Sequence, residues 1–282
     1  MSNKKFQSLA DKFGLDITFV TKWEPPESND LRPLIAMPNL PKPCHNQCPR
    51  TLLGASTWNH MRKKCYADAN YTCEVCGERV DEDIDKRHLH AHEVFSIDYI
   101  RGKAKFVGCV ALCSTAHLAC IHTGRAYTLW KNNNPLYPKE FLLEGAEKAF
   151  AIISSYNRDH PEAGIRAYAT FMEYLKHDEL RERMLSLIKK YKIKFYREDE
   201  SRQARWEKWA VQINSKEYPT PYENEKAWKE AMEKQGEKDS ARILQKNIEE
   251  KFSGGVYDEL NAILNEPVEN SDKKGIDISN NE

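Results

Sequence analysis

All eight cysteines of this chain lie between residues 44 and 120, and none follows. Two of them belong to Cys73-Glu74-Val75-Cys76, which Gly77 follows directly. Two thiolates separated by two residues in a tight turn can bind one tetrahedral zinc ion. In a reducing cytosol, clustered cysteines with histidines between them indicate metal before disulfides, although Cys65 and Cys109 can equally be buried free thiols. The clustering therefore predicts a zinc-stabilised segment in this part of the chain.

The composition is typical of a folded protein. The 282 residues include 43 Lys and Arg, 43 Asp and Glu, 6 Trp, 13 Tyr and 10 Phe. So many aromatic side chains argue against disorder, and the balanced charge excludes a histone-like polycation. No apolar run reaches the roughly 18–20 residues that span a bilayer, and the first residues lack the apolar core of a signal peptide. We expect a cytoplasmic protein without a membrane segment.

Changes in composition along the chain predict four segments. They are a proline-rich arm (1–50), a cysteine-containing domain (51–138), a mainly helical region with short strands (139–265) and a disordered tail (266–282). Hydrophobic periodicity predicts helices near Lys4–Phe13, Trp58–Ala69 and Leu180–Tyr191. Short apolar runs at Ile193–Tyr196 and Trp209–Ile213 predict strands. The fold class expected from this pattern is α+β.

Two histidine-rich stretches follow the Cys-x-x-Cys turn. Residues 88–95 alternate in polarity and predict a strand with His90 and His92 on one face. Residues 112–124 combine cysteines and histidines at helical spacing. In an α-helix, one side of this second stretch would present Cys113, Ala116, His117 and Cys120.

The order Cys-x-x-Cys-Gly, a strand ending in His-Glu, and Leu-Cys before a helix with spaced histidines resembles the HNH endonuclease family. More narrowly, His92-Glu93-Val94-Phe95 is similar to the His-Glu-Ile-Trp-like motif of bacterial and phage members, and Pro49–Gly54 and Tyr71–Cys73 are similar to that group as well. The resemblance covers about residues 49–126. It implies a ββα-metal core with helical flanks that hydrolyses phosphodiester bonds, most plausibly in double-stranded DNA.

The resemblance also implies roles for individual residues. His92 matches the general base, His117 the helix ligand of one Mg²⁺ or Mn²⁺ ion, and His122 a histidine that contacts the phosphate. Which of His92 and Glu93 is base and which is ligand stays open; we favour His92 as base, with Glu93 or His90 assisting the metal. His90 and His122 have alternative interpretations as a half-exposed strand residue and a helix-terminal residue.

A structural zinc ion is implied by the match of Cys73, Cys76 and Cys113 to three zinc positions of the family. Ala116 stands at the fourth position, and this departs from the family pattern. The fourth ligand can come from one of four residues: Cys120, Cys109, His88 or His117. In two further departures, His122 follows His117 by five residues rather than four, and the family's asparagine falls near Gly108.

Basic residues flank these motifs and are candidates for contacts to DNA phosphates. They are Arg62, Lys63, Lys64, Arg101, Lys103, Lys105 and Arg125. In the arm, Cys44-His45-Asn46-Gln47-Cys48 can form a second metal site with Cys65 or His60, or serve only in packing. The region 139–265 can contact a protein partner or a second copy of the chain.

Two other functions remain as alternatives. One is a catalytically silent zinc module that binds DNA or a protein, which the departures at Ala116 and Gly108 favour. The other is an interaction protein whose helical second half binds the partner.

Overall fold

The structure, a computed structural model, describes residues 2–80 and 89–236, and for residues 2–6 it describes the backbone alone. It divides into two units, residues 1–228 and 229–282. In the second unit, the described residues 229–236 are helical. His88, most of the C-terminal stretch and the predicted tail at 266–282 lie outside the described residues.

The described chain is α+β, as the sequence predicts. The α-helices are α1 (Ser2–Phe13), α2 (Pro49–Leu53), α3 (Ala55–Asp68), α4 (Thr123–Lys131), α5 (Lys139–Asp159) and α6 (Asp178–Tyr191). A π-helix covers Thr115–Ile121, and 3₁₀-helices cover Arg32–Ala36, Lys42–Cys44, Ala169–Lys176 and Trp206–Lys208. The strands are β1 (Ile17–Val20), β2 (Lys22–Trp23), β3 (His90–Asp98), β4 (Lys103–Leu112), β5 (Ala167–Tyr168), β6 (Phe195–Glu198), β7 (Ala210–Ile213) and β8 (Lys216–Pro219).

A five-stranded mixed sheet contains the histidine-bearing strand at its second position. Its order is β2-β3-β4-β7-β8, in which β3 and β4 form a long antiparallel hairpin and β7 adds to β4 in parallel. The β7–β8 hairpin turns at Asn214, whose φ of 54° suits asparagine. The sheet therefore joins strands from the arm, the cysteine-containing segment and the helical region.

This pairing differs from the division that composition predicts. Residues 2–80 and 89–228 belong to one unit, so neither residue 50 nor residue 138 is a boundary between separately packed parts. The arm is not merely irregular, because β1 pairs with β6 in a second, parallel sheet of order β1-β6-β5. Composition missed these contacts because their partners lie far apart in sequence.

The main hydrophobic core lies between the parallel sheet, α5, α6 and the π-helix. Apolar residues of α5 at helical spacing are buried in it: Phe141, Leu142, Ala149, Phe150 and Ile153. A smaller core on the other side of the hairpin contains Phe95, Ile97 and Trp209. Among the described residues, no helix combines the length and apolar character needed to cross a bilayer.

Candidate metal centres

The β3–β4 hairpin brings the cysteine and histidine motifs to one end of the sheet. His90 pairs with Leu112 and His92 with Val110, so both histidines lie beside the end of β4. Cys113 follows β4 immediately, and the π-helix begins two residues later. Gly108, near which the family's asparagine would fall, pairs with Val94 where the hairpin register shifts. The residue therefore lies within strand β4, at an irregularity of the hairpin, rather than in a loop.

Three thiols form the first candidate centre. The sulfur atoms of Cys73, Cys76 and Cys113 all lie within 4.8 Å of one another, and Cys76 Sγ is 3.8 Å from Cys113 Sγ. Tetrahedral zinc with Zn–S bonds of about 2.3 Å separates two of its sulfurs by about 3.8 Å. The spacing of these two thiols therefore fits a shared zinc ion.

Backbone hydrogen bonds hold the thiol turn against β4. Gly77 N donates to Cys73 O at 2.8 Å, with Gly77 at φ +72°, where a side chain would be strained. Glu74 exchanges two bonds with Ala111: Glu74 N donates to Ala111 O at 2.9 Å, and Ala111 N donates to the Glu74 carboxylate at 2.6 Å. The turn is thus fixed before any ion binds.

The thiol centre favours a thiolate. Hydrogen bonds from Cys113 and Cys76 lower the pKa of Cys73, and hydrogen bonds with Cys73 and Cys76 raise the pKa of Cys113. Ala116 N also donates to Cys113 Sγ at 3.5 Å. Metal ligands of this type must be deprotonated, so the centre is prepared for a cation.

The structure separates the candidate fourth ligands. Cys120 does not join the thiol group: its Sγ donates to Gly145 O at 3.3 Å and burial raises its pKa. Burial likewise raises the pKa of Cys109 to about 12, and this thiol also stays outside the group. His117 belongs to the second centre. Sequence analysis missed Glu78, whose carboxylate oxygen lies 3.9 Å from Cys76 Sγ and pairs with Lys148.

Three imidazoles form the second candidate centre. His92, His117 and His122 each offer a nitrogen, and these nitrogens all lie within 4.8 Å of one another. Their ring centroids are 4.8–5.2 Å apart, and the ring of His90 stacks on that of His117 at 4.4 Å. His90 also has Ser114 Oγ at 3.2 Å from its Nε2.

The π-helix explains this convergence. An α-helix would place Cys113, His117 and Cys120 on one side, and the structure does not. Instead, His122 N donates to His117 O at 3.1 Å, a bond across five residues that widens the turn. His117 and His122 therefore lie on the same side of the chain despite the five-residue spacing.

All three imidazoles are held in the neutral form, which is the form in which histidine binds a metal ion. Burial lowers the pKa of His92 to about 3 and that of His122 to about 4, and it holds the pKa of His117 well below its usual value. The Nδ1 atoms of His92 and His117 are buried and have no hydrogen-bond partner among the described residues. Neutral imidazoles with unsatisfied nitrogens match the requirements of a metal ligand.

A cleft of about 110 Å³ opens beside the histidine centre. Its polar wall includes His92, Glu93 and His122, and its other walls come from the arm, β2 and β3. Burial raises the pKa of the Glu93 carboxyl. Sequence analysis missed Asn39, which also lines the cleft, because no local pattern shows that the arm folds back onto this site.

The predicted basic residues are spread over the surface. Arg125 is exposed and directly follows the centre, with its N–H donating to His122 O at 2.9 Å. Lys103 and Arg101 lie at the opposite end of the hairpin, roughly 23 Å along β4 from the register position of His92. They pair with Glu217 and Asp98 there.

The remaining predicted cations lie on α3 and at the far part of β4. Arg62 donates to Asn59 and Lys64 pairs with Asp68, while Lys63 and Lys105 are exposed. The α3 helix contacts the hairpin through Tyr66, whose hydroxyl accepts the Ala91 N–H at 3.2 Å. Among the predicted cations of the described chain, Arg125 thus contacts the histidine centre, through the hydrogen bond from its backbone N–H to His122 O.

The cysteines of the arm do not join a metal group within the described chain. His45 Nε2 lies 2.9 Å from Leu40 O, and Trp228 Nε1 donates to His45 Nδ1 at 3.1 Å. Both ring nitrogens are thus occupied. Cys44 is fully buried, and burial raises its pKa to about 12. The arm motif serves packing.

Comparisons of this chain with protein-family models, with curated proteins and with solved structures find no match. A thiol centre with tetrahedral spacing suits a structural ion, and an imidazole centre beside a cleft suits a catalytic one.

Proposed function

We propose that the chain is a metal-dependent endonuclease of the HNH type that hydrolyses phosphodiester bonds in DNA. The observation that carries this proposal is the convergence of His92, His117 and His122 beside a cleft. A long hairpin followed by a short helix, with three thiols grouped near their junction, further supports the proposal, because a zinc-stabilised ββα-metal core would be built from such elements.

The donor set fits a divalent cation. His117 and His122 would hold it, with the Glu93 carboxylate available from the cleft wall. Imidazole nitrogens favour transition metals such as Zn²⁺ or Ni²⁺, whereas Mg²⁺ prefers oxygen ligands. A cation held there would polarise the scissile phosphate and stabilise the charge that develops on the leaving oxygen.

The protein's own residues would supply the proton transfer. Burial keeps His92 neutral, so its imidazole would take the proton from the attacking water. Arg125, exposed at the beginning of α4, would contact the phosphate. The zinc ion at Cys73, Cys76 and Cys113 would fix the hairpin against the π-helix.

The test is nicking of supercoiled plasmid DNA by the full chain with Mn²⁺, Ni²⁺ or Mg²⁺. We expect nicking by the wild type and its loss in His92→Ala. His60→Ala is the matched control, because His60 is exposed on α3 outside the cluster, and it should nick normally. Equal nicking by wild type and His92→Ala would remove His92 from the chemistry.

The alternative function is a silent zinc module. It is favoured by Gly108, which leaves the hairpin without the family's asparagine. It predicts zinc binding and salt-dependent DNA binding without cleavage by any of these cations. Nicking that depends on His92 would exclude it.

A further inference from the structure

The cleft beside the histidine centre has aromatic and aliphatic walls. Trp23 from β2 and Phe95 from β3 line it, together with Met37, Pro38 and Leu40 of the arm and Ile97. The polar residues His92, Glu93 and His122 form part of the same lining. Whatever occupies the cleft therefore lies next to the proposed catalytic centre and needs an apolar body.

The cleft has the size of one small ring. Its volume is about 110 Å³. An apolar cavity of about 150 Å³ in another protein binds benzene, whereas pockets for drug-sized ligands usually exceed about 300 Å³. A single six-membered ring matches this space, and a fused two-ring system or a whole nucleoside does not.

Asn39 adds a polar requirement. Its Nδ2 donates to Ile121 O at 3.3 Å. Because a carbonyl oxygen can only accept, this contact fixes which end of the amide is the oxygen. The Oδ1 atom is buried and has no hydrogen-bond partner among the described residues. Buried acceptors are normally satisfied, so this oxygen is an unmet acceptor on a residue that lines the cleft.

We propose that the cleft binds one unpaired pyrimidine base of DNA adjacent to the scissile phosphate. This inference rests on the proposed nuclease function. A pyrimidine is a single planar ring that can stack on Trp23, and it carries an N–H group for Asn39 Oδ1. A base that is paired and stacked inside a duplex is not free to enter a cleft of this size, so the preferred substrate is a duplex with an extruded or unpaired pyrimidine.

The experiment measures binding and cleavage on three fluorescent duplexes of the same length. One is fully paired, one carries a single unpaired cytosine and one a single unpaired adenine. Fluorescence anisotropy with the full-length His92→Gln chain, which retains a side chain of similar size in the cleft wall but lacks the imidazole base, gives the dissociation constants without cleavage. We expect the unpaired-cytosine duplex to bind tightest, by roughly tenfold, about the effect of one base–aromatic stack.

Two variants, made in the His92→Gln background, test the residues. Trp23→Leu should remove most of the preference for unpaired cytosine, and Asn39→Leu should reduce it. Trp206→Leu is the matched control, because Trp206 is half-buried in a separate 3₁₀-helix and should keep the preference. Thermal unfolding of each variant shows that the fold is retained.

The outcomes separate this inference from the proposed function. Cleavage of all three duplexes by the wild type with equal binding of all three by His92→Gln would overturn the inference and leave the nuclease intact. A cytosine preference in binding without any cleavage would support the cleft assignment and overturn the nuclease. Absence of DNA binding altogether would overturn both.

Discussion

The ring centroids of His117 and His122 are 4.8 Å apart, although His122 lies five positions after His117 in the chain. A standard α-helix brings residues three or four apart together, so this pair depends on the wider π-helical turn. The hydrogen bond from His122 N to His117 O closes that turn. The five-residue spacing of His117 and His122 differs from the four-residue spacing of the HNH family that the sequence resembles. The wider π-helical turn of the backbone accommodates this difference.

Removing either helix histidine should empty the histidine centre and spare the thiol centre. We expect His117→Ala and His122→Ala each to lose Ni²⁺ binding measured by isothermal titration calorimetry, because each change removes one of the two imidazoles that would hold the ion. Zinc content, measured by elemental analysis, should stay near one per chain. Loss of zinc in His117→Ala would instead assign His117 to the thiol centre.

The local motifs were predictable from the sequence, and the contacts that complete them were not. The Cys-x-x-Cys turn predicts two sulfurs on one ion, and the alternation around His92 predicts its strand. The grouping of Cys113 with Cys73 and Cys76 depends on the length of the β3–β4 hairpin. The resemblance to the HNH family implied this grouping. The π-helix has no comparable sequence signal, because it is set by packing against α5 and the 3₁₀-helix at Arg32–Ala36.

The arm shows the same limit at longer range. Its prolines predict an irregular path, yet they contain no information about where the path leads. Asn39 reaches the π-helix through Ile121 O, and Arg32 reaches Asp159 at the end of α5. Such contacts join residues more than eighty positions apart and follow only from the whole fold.

The thiol centre should depend on Cys76 and not on Cys120. We expect Cys76→Ser to lose the zinc ion and to unfold at a lower temperature, since the bound ion contributes to folding free energy. Cys120→Ser is the matched control, because a serine hydroxyl can still donate to Gly145 O. It should keep the zinc. Zinc loss in Cys120→Ser would identify that residue as the fourth ligand.

The histidine centre should bind cations that prefer nitrogen ligands more tightly than cations that prefer oxygen ligands. Its three imidazoles favour Ni²⁺ or Zn²⁺ over Mg²⁺, whose usual ligands are oxygens. We expect calorimetry on the zinc-loaded chain to give a dissociation constant for Ni²⁺ that is roughly tenfold or more below that for Mg²⁺. A tighter site for Mg²⁺ would indicate that carboxylates dominate binding, with Glu93 as the first candidate.

The arm's ion-pair cluster should give a pH-dependent contribution to stability. Arg32 donates to Asp30 and Asp159, and its hydrogen bonds lower the pKa of Asp30 to about 2. Because this pKa lies below the unfolded value of about 3.9, the contribution is full above that pH and is lost as the pH falls toward 2. Allowing for solvent screening, it amounts to about 1 kcal/mol.

Chemical denaturation tests this contribution. Asp30→Asn should lower the free energy of unfolding at pH 7, and the difference from wild type should shrink as the pH falls from 4 to 3. Asp68→Asn, which breaks a fully exposed pair with Lys64, is the control and should change stability little. A difference that stays constant with pH would show that Asp30 acts through packing.

Gly145 should be essential for seating the π-helix on α5. A Cβ at this position would lie 2.3 Å from the Cβ of Ala119, far below any normal contact, and the Gly145 carbonyl accepts the Cys120 thiol. We expect Gly145→Ala to lower the free energy of unfolding by about 1–3 kcal/mol, as overpacking does, and to weaken Ni²⁺ binding by shifting His117 and His122. Gly124→Ala is the control for denaturation, since nothing lies within 4 Å of its added Cβ. If Gly145→Ala matched wild type in both measurements, the close approach of the two helices would not be what holds the histidines together.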